Sequence, residues 1–233
     1  MRKGQSRNLV LGVFALLFLC YELFIARGEN YYYVSLGILL LGMFGFFSHF
    51  EQGRPSVLLL TMIAALCGLA IAGRIAFFFL PQMKPIAAIV ILSGVAFGGE
   101  VGFITGAMSA FVSNFYFGQG SWTPFQMAAL GLIGFVAGVF FAGRSTRREV
   151  VSLFGFVAVV VLYGGIVDIN TVFFSSQQPT WELAAGIYLK ALPFNLILGV
   201  STAVFLFLLY KPILCRIERV QRKYRLIDKE SKK

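Results

Sequence analysis

GRIAFFFLPQMKPIAAIVILSGVAFGGEVGFITGAMSAFVSNFYFGQGSWTPFQMAALGLIGFVAG, residues 73–138, is apolar enough to lie in a bilayer. It nevertheless carries Arg74, Lys84, Glu100, Asn114, Gln119, Trp122 and Gln126 among repeated glycines and prolines. A simple lipid-facing anchor has no use for such residues. Irregular backbone at membrane depth is tolerated only where protein or a water-filled cavity covers it, and ionisable side chains there mark a substrate or ion path. The stretch therefore reads as the wall of a binding cavity.

The surrounding sequence has the same character. Of 233 residues, 58% are hydrophobic and 13% charged, with a mean hydropathy of +0.83. A soluble core of this length does not need so much apolar surface, so the fold class is all-α, a polytopic membrane bundle. Apolar runs between charged or Gly/Pro-rich breaks give eight candidate helices: 9–26, 33–49, 56–80, 85–97, 101–117, 124–143, 149–167 and 182–210. The fourth, at about 20 Å of helix, falls short of the roughly 30 Å hydrocarbon core. It is expected to tilt within the bundle or to stop before crossing. The first run follows a basic head as a signal peptide does, but it ends in Glu22, Arg27 and Glu29 without a small-x-small cleavage site, and is expected to be kept as a span.

Charge sets the orientation. If the N-terminus is cytoplasmic and all eight segments cross, sixteen of the twenty Lys and Arg lie inside, including all nine from Lys211 onward. Arg27, Arg74, Lys84 and Lys190 are left outside or within spans. That asymmetry places both termini in the cytoplasm. The net charge of +10 is then a topology signal and a surface for lipid headgroups, and no nucleic acid is expected. Residues 1–54 form an accessory two-helix hairpin, with Tyr31, Tyr32 and Tyr33 at the outer interface. Residues 55–212 hold six spans and are the functional unit, and 213–233 form a basic cytoplasmic tail that continues the last helix briefly.

Enzymatic chemistry finds little support. His49 is the only histidine, which removes most zinc and imidazole schemes. Cys20, Cys67 and Cys215 have no metal-type spacing and imply no disulfide framework. No phosphate loop, metalloprotease helix or nucleophile elbow occurs. No metal and no cofactor are expected.

The polar residues instead gather in one outer layer. Arg74 lies about 28 Å along its helix from Pro55, where it either snorkels or faces a ligand. Pro81, Lys84 and Pro85 make a tight external turn. The loop of residues 118–124, with Gln119 and Trp122, either caps an ordinary turn or closes over a ligand, and Pro124 suits the first turn of the next helix. Asn114 and Tyr116 end the fifth span and Gln126 begins the sixth. Residues 168–182 form the longest external loop and serve as a possible lid. In the last span Lys190, about 13 Å deep, either pairs with Asp168 or joins Asn195 and Tyr163 at a ligand. Pro193 leaves the Leu189 carbonyl without its donor. Glu100 is explained by its place in a helix first turn. Gly102, Gly106, Gly131, Gly134 and Gly138 read as close helix packing, and Ala64, Gly68 and Ala72 as a small-residue stripe for packing or for docking another membrane subunit.

The turn Gly73, Arg74, Pro81, Lys84, Pro85, the run from Ser113 to Met127 and the helix from Gly131 to Gly138 resemble the substrate-binding S components of energy-coupling factor (ECF) transporters, most closely the cobalamin type. The resemblance implies six helices, external loops closing over a vitamin or related micronutrient, and cytoplasmic termini. It also implies that Ala64, Gly68 and Ala72 contact a membrane coupling subunit driven by two cytoplasmic ATPases, which reorients the protein to release ligand inward. A multi-pass plasma-membrane protein, bacterial by analogy, is expected. The rival readings are a membrane enzyme using Glu100, Lys190 or Asp168, and an assembly factor.

Overall fold

The computed structural model describes residues 31–176 and 179–223; the expected first span 9–26, the end of the basic tail and Gln177–Gln178 lie outside them. The described chain forms seven helices: α1 (Tyr31–Gln52), α2 (Val57–Ala76), α3 (Ile86–Phe97), α4 (Gly99–Phe117), α5 (Thr123–Phe141), α6 (Arg148–Ser175) and α7 (Trp181–Lys223). No strand occurs among the described residues. Four of these helices, α2, α5, α6 and α7, are long and apolar enough to cross a membrane.

Local chemistry sets several boundaries. Ser56 caps α2 by accepting the Leu59 amide at 3.2 Å, which satisfies one of the free donors of the first turn. Pro124 sits in the first turn of α5, where its missing N–H removes no bond. Between α3 and α4 the chain reverses at Gly98, whose φ of 96° is open to glycine.

The short α3 is the centre of the bundle. Every residue from Ile86 to Val95 is buried, and α3 packs against α2, α4, α5 and α7. A helix apolar on all sides belongs inside, so its failure to reach full span length follows from being walled in by longer helices. Glycines set its distance from α4 and α5. A methyl group on Gly94 or Gly102 would meet the Gly134 carbonyl, one on Gly138 would meet the backbone at Gly99, and one on Gly106 would meet the Leu130 carbonyl. Backbone therefore touches backbone throughout this wedge, the small-residue packing the spacing predicted.

Two boundaries differ from expectation. α6 runs to Ser175 rather than 167, so the supposed lid of residues 168–182 is helical up to Ser175, leaving a short connector before Trp181. The polar residues that suggested a loop, Asp168 and Asn170, are buried against neighbouring helices. α7 passes through Pro193 and Pro212 and ends at Lys223, well beyond 210. Its last turns are held because Ile217 is buried and Gln221 Nε2 donates to the Ala96 carbonyl at 3.3 Å.

α1 lies along α4 and α5. Phe46 stacks on Phe103 at 4.0 Å between ring centroids and meets Phe135 edge-on at 5.1 Å. His49 Nδ1 lies 2.9 Å from Glu100 Oε1, both well exposed, so Glu100 adds a partner on α1 to its first-turn position. Ala64, Gly68 and Ala72 stay exposed on the outer face of α2, and no atom lies within 4 Å of a Cβ placed on Gly68. Among the described residues, the stripe is therefore not used for packing inside the bundle.

Candidate functional site

Arg74 lies in the last turn of α2 and reaches across to α4. Its Nη1 donates to Ser113 Oγ and, at 2.9 Å, to Asn114 Oδ1. Arginine has donors only, so the Asn114 amide must turn its oxygen toward it. The amide nitrogen then points the other way and donates to Thr123 Oγ1 at 3.1 Å and Gln126 Oε1 at 2.9 Å. Asn114 is 1% exposed, and its oxygen and both donors are used, as a buried amide requires. One side chain thus links the ends of α2, α4 and α5.

The network continues into the loop. Thr123 Oγ1 donates to Gln119 Oε1 at 2.9 Å and accepts the Gly120 amide at 3.2 Å, while Gln119 Nε2 donates to the Phe111 carbonyl at 3.0 Å. With its oxygen committed to Asn114, Gln126 keeps its NH2 for other partners. Phe117 closes this end: the Arg74 guanidinium lies 4.4 Å and the Lys84 ammonium 5.5 Å from its ring centroid, within cation–π range. Burial, and secondarily the neighbouring Arg74 charge, push the Lys84 ammonium below the usual lysine range.

Arg74, Lys84 and Gln126 from this network border a cavity of about 320 Å³ between α2, α3, α5, α6 and α7. Arg74, Gln82 and Lys84 line it from the α2 end and the following turn, where Gln82 has a left-handed φ of 58°. Ile86, Ala87, Leu130, Phe194 and Leu198 provide its apolar walls, and Gln126, Tyr163, Asp168 and Asn195 its remaining polar groups. The volume is at the lower end of the range for small-molecule sites, which combine apolar walls with a few placed polar groups.

The far wall depends on an irregularity in α6. Residues Val159–Tyr163 form a π-turn, a feature that recurs at functional sites because it re-aims the residues beyond it. Tyr163, Val167 and Asp168 face the cavity after this turn. Asn195 Nδ2 donates to Asp168 Oδ2 at 2.7 Å. Gly164 makes this pairing possible, since a Cβ there would sit 2.6 Å from Asn195 Nδ2. Behind the pair, a more open and largely apolar cavity of about 520 Å³ lies between α6 and α7, bordered by Gly164, Gly165, Leu189 and Leu192 and sharing Asp168 and Asn195 with the first. The Tyr188 hydroxyl donates to the Gly165 carbonyl at 2.7 Å at its edge. The Asp168–Asn195 pair partitions the two spaces.

The structure brings together Arg74, Lys84, Gln126, Tyr163, Asp168 and Asn195 around one cavity. Asn114 stands behind the wall and holds two of them. Gln119 anchors the loop through Thr123 and Phe111 instead of facing the cavity, and Trp122, 43% exposed, would contact any side chain at Gly120. Tyr116 is 63% exposed and points away. Lys190 is exposed on α7 and outside the cavity lining, and the ion pair with Asp168 is not formed because Asn195 takes that place. A lysine on the outer face extends its amine toward the interface along its own stem.

Ser113, Thr123, Gln82 and Tyr188 are contributors the sequence reading did not select. Thr123 lies within the Ser113–Met127 run that carried the family resemblance, but its hydroxyl bonds Asn114, Gln119 and Gly120 and does not cap α5. Ser113 and Tyr188 carry no local signal, because each acquires its role from a partner remote in sequence, and Gln82 enters the cavity lining from a left-handed turn position.

A family model described as ECF-type riboflavin transporter, S component, matches residues 56–214. No curated protein and no solved structure matches the chain.

Proposed function

The chain belongs to the family of ECF-type riboflavin transporter S components, and we propose that the cavity beside Arg74 is where it captures its vitamin. An S component is the substrate-specific membrane subunit of an importer and not an enzyme. The observation that supports this location is the convergence of seven polar side chains, Gln82 among them, on a single cavity at one end of the bundle.

For the ligand itself, a flat heterocyclic vitamin of riboflavin size suits a space of about 320 Å³. The corrinoid suggested by the cobalamin-type resemblance is several times larger, and would require α7 and the turn after α2 to move outward. Gln126, Tyr163 and Asn195 offer donors and acceptors to a polar ring edge, with Phe194 and Leu198 against its faces.

The exposed Ala64, Gly68 and Ala72 supply a smooth face on which a transmembrane coupling subunit, driven by two cytoplasmic ATPases, can approach the α2 backbone closely. With the positive ends of the chain inside, the cavity opens outward, and a bacterial plasma membrane is the setting. α1 flanks α4 and α5 and leaves the α2 stripe exposed.

The test is thermal stabilisation of the detergent-purified chain by riboflavin, cobalamin and cobinamide. A ligand bound only by the folded state adds about 2.7 kcal/mol at a hundredfold excess over Kd. Stabilisation by riboflavin that Asn195→Ala abolishes supports the assignment, whereas stabilisation by cobalamin alone replaces the substrate. Gly68→Leu should leave ligand binding intact while uptake by cells falls; retention of full uptake would remove the stripe from the docking surface.

A further inference from the structure

We propose that the natural ligand carries an anionic group, a phosphate or a carboxylate, seated between Arg74 and Lys84. This rests on the cavity being the vitamin site.

Both cations border the same cavity and both lie against the Phe117 ring. Among the described residues, neither has a carboxylate within ion-pair distance, since the ion pairs found are His49 with Glu100 and Arg148 with Glu149. Among the described residues the cavity wall has one carboxylate, Asp168, which accepts from Asn195 and pairs with neither cation. A neutral ligand would leave two neighbouring cations, one half-buried and one more deeply placed, with no direct ion-pair partner among the described residues, an arrangement that is costly in a low-dielectric surrounding.

The geometry favours a planar or tetrahedral anion. Ser113 and Asn114 both bind Nη1 of Arg74, which fixes the guanidinium plane, and no acceptor is found for its other nitrogens among the described residues. A fixed fork with donors to spare is the arrangement that binds carboxylate or phosphate through two hydrogen bonds. Lys84, on a turn rather than within a helix, adds a point charge that can follow the ligand. An anion there would also oppose the downward push that burial and Arg74 exert on the Lys84 ammonium.

The experiment uses the full chain in detergent and matched pairs of probes: riboflavin with riboflavin 5′-phosphate, pyridoxal with its phosphate, lipoamide with lipoate, and biotinamide with biotin. Dissociation constants come from thermal stabilisation curves. In the pair that binds, the anionic member should be tighter by about tenfold or more, and Lys84→Gln and Arg74→Gln should each shrink that ratio. Lys84→Gln keeps the test available if Arg74→Gln does not fold. A neutral member that binds as tightly as its anionic partner overturns the inference and leaves the vitamin-binding function standing. Inorganic phosphate that protects as well as the phosphorylated vitamin also overturns it, as a free-ion site. If no probe stabilises the folded chain, both this inference and the assignment of the cavity fall.

Discussion

The wedge of α3, α4 and α5 and the pair α6–α7 are built on opposite principles. In the wedge, glycine lets backbone rest on backbone, and α3 is buried from Ile86 to Val95. Between α6 and α7, glycines meet side chains instead of backbone, a π-turn and two internal prolines interrupt the regular bonding, and one hydrogen-bonded pair borders two cavities. Packed interiors transmit strain and resist small shifts, so the wedge supplies a fixed wall. The α6–α7 pair, with its π-turn and cavities, is the wall we expect to adjust. The Asn114 network marks the boundary where the fixed side meets the cavity.

The largest effect should come from attacking the fixed wall. Gly134→Val would drive its side chain into the Gly102 carbonyl, and neither backbone can withdraw without moving α3. We expect a loss of about 3 kcal/mol or more, read as a collapse of the melting temperature or of folded yield in detergent. A variant as stable as the parent would show that the wedge is not rigid.

Next in size, Asn114→Ala removes the shared partner of Arg74, Thr123 and Gln126. Leaving buried polar groups unpaired costs about 1–3 kcal/mol, and the released Arg74 should weaken ligand binding by about tenfold or more. Isothermal titration beside a thermal melt separates the two consequences.

On the adjustable side, Asn195→Ala deprives Asp168 of its donor and joins the two cavities. We expect a smaller stability loss, about 1–2 kcal/mol, because the larger cavity is already open. Hydrogen exchange sharpens the comparison further. Ligand should slow exchange in α6 around Val159–Tyr163 and leave the glycine-packed amides of α4 and α5 unchanged; equal protection in both regions would erase the distinction.

The smallest effects belong to residues outside both walls. Lys190→Ala and Tyr116→Ala should change stability by no more than about 0.5 kcal/mol and leave ligand affinity within error, as measured by the same melts and titrations.

How far the sequence reached depended on whether a residue's role was local. The glycine spacing of α4 and α5 was legible because close packing is written in residue size and period, and Pro124 because a first-turn proline is a local choice. Asp168 and Asn170 were misread as loop because polarity alone does not say whether a group faces water or a partner helix. Lys190 was drawn toward Asp168 by depth along the helix, but its azimuth on α7 turned it outward. Tyr116, Gln119 and Trp122 shared the right layer with the cavity and not the right side.

By itself the sequence determined an all-helical membrane bundle, the glycines that allow its tight wedge, and the outer layer in which polar residues gather, because hydropathy, residue size and charge asymmetry act along the chain. Only the tertiary structure decided that α3 is the buried centre, that Asn114 holds the wall rather than forming it, and that Asn195 pairs with Asp168. Those outcomes depend on helix rotation and on the π-turn in α6, which bring together groups 27 to 40 residues apart. Neither is set by composition or period, because each is the joint result of every helix finding its neighbours.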